Sequence, residues 1–128
     1  MALRILAVED NQVNMILIHD LLVLNGYTVL KAFTAEDAIE MARRERPDLI
    51  LMDVGLPGMD GLAATRLLKE MAETKDIPVL ALTAHAMPGD QERTIAAGCC
   101  GYISKPFNVP RFLELVADYA RRANRPAT

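Results

Sequence analysis

The carboxylates of Glu9, Asp10 and Asp53, the hydroxyl of Thr83 and the ammonium of Lys105 could carry out chemistry together. Carboxylates that converge without a counter-charge repel one another and resist full ionisation. A divalent cation relieves that repulsion. All-oxygen donors suit Mg²⁺ (or Mn²⁺), which binds through one or two carboxylates and leaves positions for waters and phosphoryl oxygens. Asp53 could then act as a carboxylate nucleophile and form an aspartyl phosphate. The phosphoryl group brings about two negative charges, for which Lys105 supplies a cationic donor and Thr83 a hydroxyl donor. Taken singly, each residue has a plainer reading: a strand-end Asp or Thr as a cap or turn residue, a Lys as a solvated charge. Their joint placement decides, and it depends on the elements that carry them.

Leu49-Ile50-Leu51-Met52 runs straight into Asp53, between Pro47 and the breaker cluster Gly55-Leu56-Pro57-Gly58. A short continuous apolar run so bounded suits a strand buried on both faces of a parallel sheet. Arg4 to Val8 is a second such run and ends in Glu9-Asp10. Asn11 can cap a helix running to about Asn25, with Gly26 as its left-handed stop. Thr28 to Ala32 reads as a strand, and Thr34 caps a helix from Ala35 to about Glu45. Gly61 opens a helix through about Met71, Ile77 to Thr83 is a strand, and a helix from about Gly89 to Ala97 stops at Gly98. Gly101 to Ser104 is a short last strand, and Val109 to about Arg122 the last helix. Strands alternating with helices predict an α/β fold with a mostly parallel sheet. Right-handed crossovers then bring Glu9, Asp10, Asp53, Thr83 and Lys105 to one edge, where open sheets of this kind bind ligands.

Composition sets outer limits. The 128 residues suit one domain, and 52% hydrophobic with 24% charged residues is a globular composition. A formal charge of -3 gives no reason to expect nucleic-acid binding. The cluster of Arg121, Arg122 and Arg125 is explained by a solvated helix terminus. No apolar run reaches a membrane span and the N-terminus lacks a signal peptide's layout, so the expected location is cytoplasmic. Cys99 and Cys100 are adjacent, poorly placed for an unstrained disulfide, and read as small half-buried residues before a strand.

Four segments together resemble the response-regulator receiver domain. They are Val8-Glu9-Asp10-Asn11, Leu51-Met52-Asp53 with Leu56-Pro57-Gly58-Met59-Asp60-Gly61, Ala81-Leu82-Thr83-Ala84, and Gly101-Tyr102-Ile103-Ser104-Lys105-Pro106-Phe107. They occur in order over nearly the whole chain. The resemblance implies a flavodoxin-like (βα)5 doubly wound parallel sheet in the order 2-1-3-4-5. It makes residues 1–128 a single receiver domain, with its core at about 3–122 and a short C-terminal tail. It implies Asp53 as phosphoacceptor, Glu9, Asp10 and Asp53 as metal carboxylates, and the backbone carbonyl of Gly55 as a further ligand to Mg²⁺ or Mn²⁺. Lys105 and Thr83 would contact the phosphoryl group, and Ala84 leaves room beside it. Tyr102 matches the aromatic switch position, and Lys105-Pro106 matches a bond that is cis in the family. Gly55 and His85 stand where the family tunes hydrolysis. Cys99-Cys100 departs from the acidic residues common at that point.

The resemblance also implies partners: a histidine kinase or histidine phosphotransfer protein as donor, and a downstream protein target. Val13, Met15, Ile16, Leu17, Ile18, Leu21, Leu22, Val23 and Leu24 make the first helix apolar over more than a core-facing stripe needs. At about 100° per residue, Val13, Leu17 and Leu24 fall on one flank, and Ile18, Leu21 and Leu22 point toward the core. Val13, Asn14, Leu17 and Phe107 are the expected docking positions for the donor. The chain ends soon after the last helix, so a single-domain receiver, monomeric or weakly dimeric, is expected. Such a protein catalyses its own aspartyl phosphorylation and dephosphorylation without turning over an external substrate. One alternative is a phosphorylation-independent docking protein with a vestigial site. Another is an aspartyl phosphohydrolase, disfavoured because Gly55 stands where one such family has a second acid.

Overall fold

The computed structural model describes residues 3–83, 89–104 and 108–123, apart from the side chains of residues 90, 91, 122 and 123. Five strands, β1 (Arg4–Val8), β2 (Thr28–Ala32), β3 (Leu49–Asp53), β4 (Val79–Thr83) and β5 (Gly101–Ser104), alternate with five helices. The helices are α1 (Gln12–Leu24), α2 (Ala35–Glu45), α3 (Gly61–Glu70), α4 (Asp90–Ala97) and α5 (Val109–Ala123). All strand pairs are parallel, in the order β2-β1-β3-β4-β5. This is the flavodoxin-like arrangement.

The period of two along each strand sorts the core into two layers. Leu6, Val8, Ile50, Met52, Val79 and Ala81 face one side, where Ala35, Ala38 and Ala42 of α2 and Leu62, Ala64 and Leu68 of α3 cover them. Ile5, Ala7, Leu49, Leu51, Leu80 and Leu82 face the other, against Met15, Ile18 and Leu22 of α1 and Phe112 and Val116 of α5. Every residue of β3 and β4 is buried, whereas the edge strand β2 is mostly not. The continuous apolar runs therefore mark the central strands, as burial on both faces requires.

Local chemistry sets the helix starts. Asn11 Oδ1 accepts from the Asn14 amide at 2.9 Å, and Thr34 Oγ1 from the Asp37 amide at 3.1 Å. Each satisfies an amide that has no partner within the helix. Asp60 and Asn108 cap α3 and α5 in the same way, at 2.8 Å to Ala63 N and 3.0 Å to Arg111 N. Element ends differ from the expected ones by a residue or two. β4 begins at Val79 because Ile77 N is engaged by Thr74 O in the preceding turn and Pro78 has no N–H to give.

The first helix has the surplus apolar face expected of it. Val13, Leu17 and Leu24 are exposed, Val13 to 74%, and Ile18 and Leu22 are fully buried. Leu21, expected in the core, is only half-buried at its margin, and Met15 takes the third core position. Both cysteines are thiols, and they differ: Cys99 is buried and Cys100 exposed, so "half-buried" describes neither. Burial pushes the Cys99 thiol up to about 11. Arg121 pairs with Asp118 at 3.7 Å on the exposed side of α5.

Candidate functional site

The strand order reverses at β1: its first crossover leads to β2 on one side, its next neighbour β3 lies on the other. A crevice opens at such a switch point beyond the carboxyl ends of the strands. Val8 pairs with Met52, so Glu9 and Asp53 stand at matching levels as β1 and β3 end. Glu9, Asp10 and Asp53 each bring a carboxylate oxygen within 4.8 Å of the others. They are the one such group of acidic, His or Cys side chains among the described residues.

Burial and hydrogen bonds fix two of the three. Glu9 is 1% exposed, and its Oε1 accepts from the Asn11 amide at 3.3 Å. Asp53 is 5% exposed, and its Oδ1 accepts from the Gly55 amide at 3.0 Å. Asp10 is the exposed member of the group. The donor set is oxygen only, the chemistry that suits Mg²⁺ rather than a thiolate- or imidazole-preferring metal. Opposite oxygens about a magnesium ion are about 4 Å apart, so the observed spread is on the scale of ligands sharing one ion. The residues fit the cation.

Thr83 ends β4, next to β3, and is 7% exposed. Val54 N donates to Leu82 O at 2.9 Å, carrying the β3–β4 ladder one step past Asp53. Tyr102 lies in β5 opposite Ala81, half-buried against the α2–α3 layer. Thr83 follows Ala81 by two residues, so Thr83 and Tyr102 share a sheet face on neighbouring strands. Gly55 is exposed beside the carboxylate, and a Cβ there would sit 3.8 Å from Asp53 Oδ1, an ordinary contact. Val13 and Asn14 lie in the first turn of α1, just beyond the Asn11 cap and Asp10, with Leu17 one turn on. Lys105, His85 and Phe107, with Ala84 and Pro106, lie outside the described residues.

The loop after β3 brings Gly61 against the strand it follows. Gly61 opens α3 against the backbone of the strand, and a Cβ on it would run into the Asp53 carbonyl. Its amide lies 3.3 Å from Val54 O. Nothing in local sequence announces this, because the approach is made across a loop.

Residues 5–117 match the response regulator receiver domain family. The chain belongs to that family. The receiver is 48% identical over 115 residues to the polar-differentiation response regulator DivK of Brucella anthropi, covering 90% of this chain and 94% of that protein. With DivK of Brucella abortus (strain 2308) the identity is 46% over 119 residues, or 93% and 97% of the two chains. Among solved structures, the receiver domain of the sensor histidine kinase PA1611 of Pseudomonas aeruginosa superposes with a TM-score of 0.87 at 36% identity. The match covers 94% of this chain and 99% of that one, which has a magnesium ion coordinated in its active site cleft. The chemotaxis protein CheY4 of Vibrio cholerae matches at 0.88 and 28% identity, over 93% and 99%. The receiver is thus a signalling domain of the two-component type, and none of its described helices is long and apolar enough to cross a membrane.

Proposed function

We propose that this receiver is a Mg²⁺-dependent phosphoacceptor switch in which Asp53 is the phosphorylated residue. The observation that carries the reading is the convergence of Glu9, Asp10 and Asp53 oxygens at the switch point of the sheet. Glu9, Asp10 and Asp53, with the Gly55 carbonyl, hold the cation. A bound ion would supply charge neutralisation to the carboxylates and Lewis-acid stabilisation to phosphoryl oxygens. Asp53 supplies the nucleophile: an Oδ–P bond forms as the P–N bond of a donor phosphohistidine breaks, the electron pair of that bond stays on the ring nitrogen, and the imidazole, already protonated on its other nitrogen, leaves neutral. The Gly55 amide steadies the Asp53 carboxylate through the 3.0 Å hydrogen bond. Lys105 and Thr83 take up the added charge of the product. Residues 3–122 act as one receiver core. A single phosphoryl adduct that needs a divalent cation and disappears on replacing Asp53 tests the reading.

Switching follows from Thr83 and Tyr102. A phosphoryl oxygen that draws in the Thr83 hydroxyl vacates space on the face that Tyr102 shares. A partner that binds one arrangement better then shifts the equilibrium toward it. Thr83→Ala is expected to leave Asp53 able to accept phosphate while abolishing most of the phosphorylation-induced NMR shifts around Tyr102. Unchanged shifts in that variant would refute the coupling.

Hydrolysis is governed beside the carboxylate. Gly55 has no side chain to shield a phosphoryl group, so water reaches it from that side, and His85 is the second tuning position. Since a Cβ at Gly55 meets Asp53 only at an ordinary contact distance, Gly55→Arg should fold and hold Mg²⁺. It is expected to lengthen the lifetime of the phosphorylated form several-fold. An unaltered lifetime at equal Mg²⁺ affinity would discard the shielding argument.

The donor is a histidine kinase or histidine phosphotransfer protein that docks on Val13, Asn14, Leu17 and Phe107. The exposure of Val13 and Leu17 beside Asp10 supports this face. A downstream protein reads the phosphorylated state.

A further inference from the structure

We propose that Gly61, held by the Thr65 hydroxyl, is a positioning residue for the Asp53 carboxylate. The inference rests on the reading of Asp53 as metal ligand and phosphoacceptor. Gly61 does not use glycine's conformational freedom, since its φ lies outside the left-handed region. Its backbone could be adopted by any residue, and alanine would be the better helix former. What excludes a side chain is proximity. A Cβ there would overlap the Asp53 carbonyl oxygen, lie 2.9 Å from the carbonyl carbon and 3.0 Å from Met52 Cγ.

The surroundings determine where the strain of such an overlap goes. β3 is hydrogen-bonded to β1 on one side and β4 on the other. Helix α3 is anchored by Leu62, Ala64 and Leu68 in the core. Thr65 is fully buried, and its Oγ1 donates to Gly61 O at 2.8 Å, fastening the first turn. The same Oγ1 lies 3.9 Å from Cys99 Sγ, which ties it to the segment entering β5. Val54 is held by Leu82 O and Asp60 by its cap on α3, so the displacement falls on the loop between them, Gly55 to Met59, and on the Asp53 side chain it contacts. That loop carries the Gly55 amide that bonds Asp53 Oδ1. Displacement therefore reaches the carboxylate, beyond any general loss of stability.

The experiment compares four variants of the full chain with the parent. Mg²⁺ affinity is read from amide NMR shifts on titration with Mg²⁺ alone, and thermal stability is measured in parallel. Initial phosphorylation by a small phosphodonor is followed at saturating Mg²⁺. Gly61→Ala is expected to weaken Mg²⁺ binding by about tenfold to a hundredfold, the range seen when supports of metal ligands are removed, and to slow phosphorylation. Gly58→Ala imposes backbone strain in the same loop, at φ 74° with nothing within 4 Å of the added Cβ. It should lower the thermal midpoint and weaken Mg²⁺ binding clearly less than Gly61→Ala does. Thr65→Val should weaken binding in the same direction as Gly61→Ala, and Thr65→Ser, which keeps the hydroxyl, should restore it. If Gly61→Ala does not fold, the Thr65 pair decides. Parental Mg²⁺ affinity in both folded Gly61→Ala and Thr65→Val, or an equal loss in Gly58→Ala, overturns the inference while the reading of Asp53 stands. A parent protein that binds no Mg²⁺ and accepts no phosphoryl group overturns both.

Discussion

Incubation with a small phosphodonor and Mg²⁺ is expected to place one phosphoryl group on Asp53, and Asp53→Asn or a chelator should reduce the labelling to background. The expectation follows from removing either half of one device. Asparagine keeps the size of the side chain and loses the anionic nucleophile. Chelation leaves three carboxylates facing one another, with no cation to receive the phosphoryl oxygens. Asp53→Asn should remain folded, because removing a charge from a convergent acidic group relieves repulsion. Loss of labelling therefore cannot be ascribed to unfolding. Metal binding should also appear as stability: an ion present at a hundred times its dissociation constant stabilises by about 2.7 kcal/mol. For a chain of this length that raises the thermal midpoint by roughly 10 °C. The gain should shrink sharply in Asp53→Asn. Labelling at another residue, or labelling indifferent to the chelator, would remove Asp53 from its assigned role.

The second large effect separates the two faces of α1. Leu22 is fully buried, so Leu22→Ala is expected to destabilise by about 2–5 kcal/mol through lost transfer energy and the cavity left behind. Against a total stability of about 5–15 kcal/mol, that is a large share, and the thermal midpoint should fall by roughly 10 °C or more. Leu21→Ala should cost less, since Leu21 is only half-buried. Val13→Glu should change stability by no more than about 0.5 kcal/mol, as surface substitutions do. It should nevertheless slow phosphotransfer from the donor protein by about tenfold, the effect of losing about 1.4 kcal/mol at an interface. Small-molecule phosphorylation should be unaffected, because it does not use the docking face. Denaturation midpoints and transfer time courses on the same preparations check both halves. If Val13→Glu unfolds the domain, or transfer runs at full rate, the docking face lies elsewhere.

Sequence alone carried the order of the elements, the strand-end placement of Glu9, Asp10, Asp53 and Thr83, and the Asn11 and Thr34 caps. These depend on local chemistry: apolar runs that must be buried on both faces, and side-chain oxygens that satisfy the first amides of a helix. The parallel sheet followed from alternation. The family's motifs supplied the strand order, which periodicity could not. The phase of α1 was less legible. A helix that is apolar nearly all round has no polar side to say which stripe faces inward. Met15, Ile18 and Leu22 form an i, i+3, i+7 stripe, yet Leu21 fits the periodicity almost as well. Packing against Ile5, Ala7 and Leu51 made the choice, leaving Val13 and Leu17 outside. Gly61 was beyond local reading altogether. Its constraint is the Asp53 carbonyl, eight residues earlier in the chain and brought close only when the loop folds back between β3 and α3. Tertiary structure decided that contact because van der Waals repulsion acts only between atoms in contact, and residues eight apart in sequence come into contact only through the folded path of the chain.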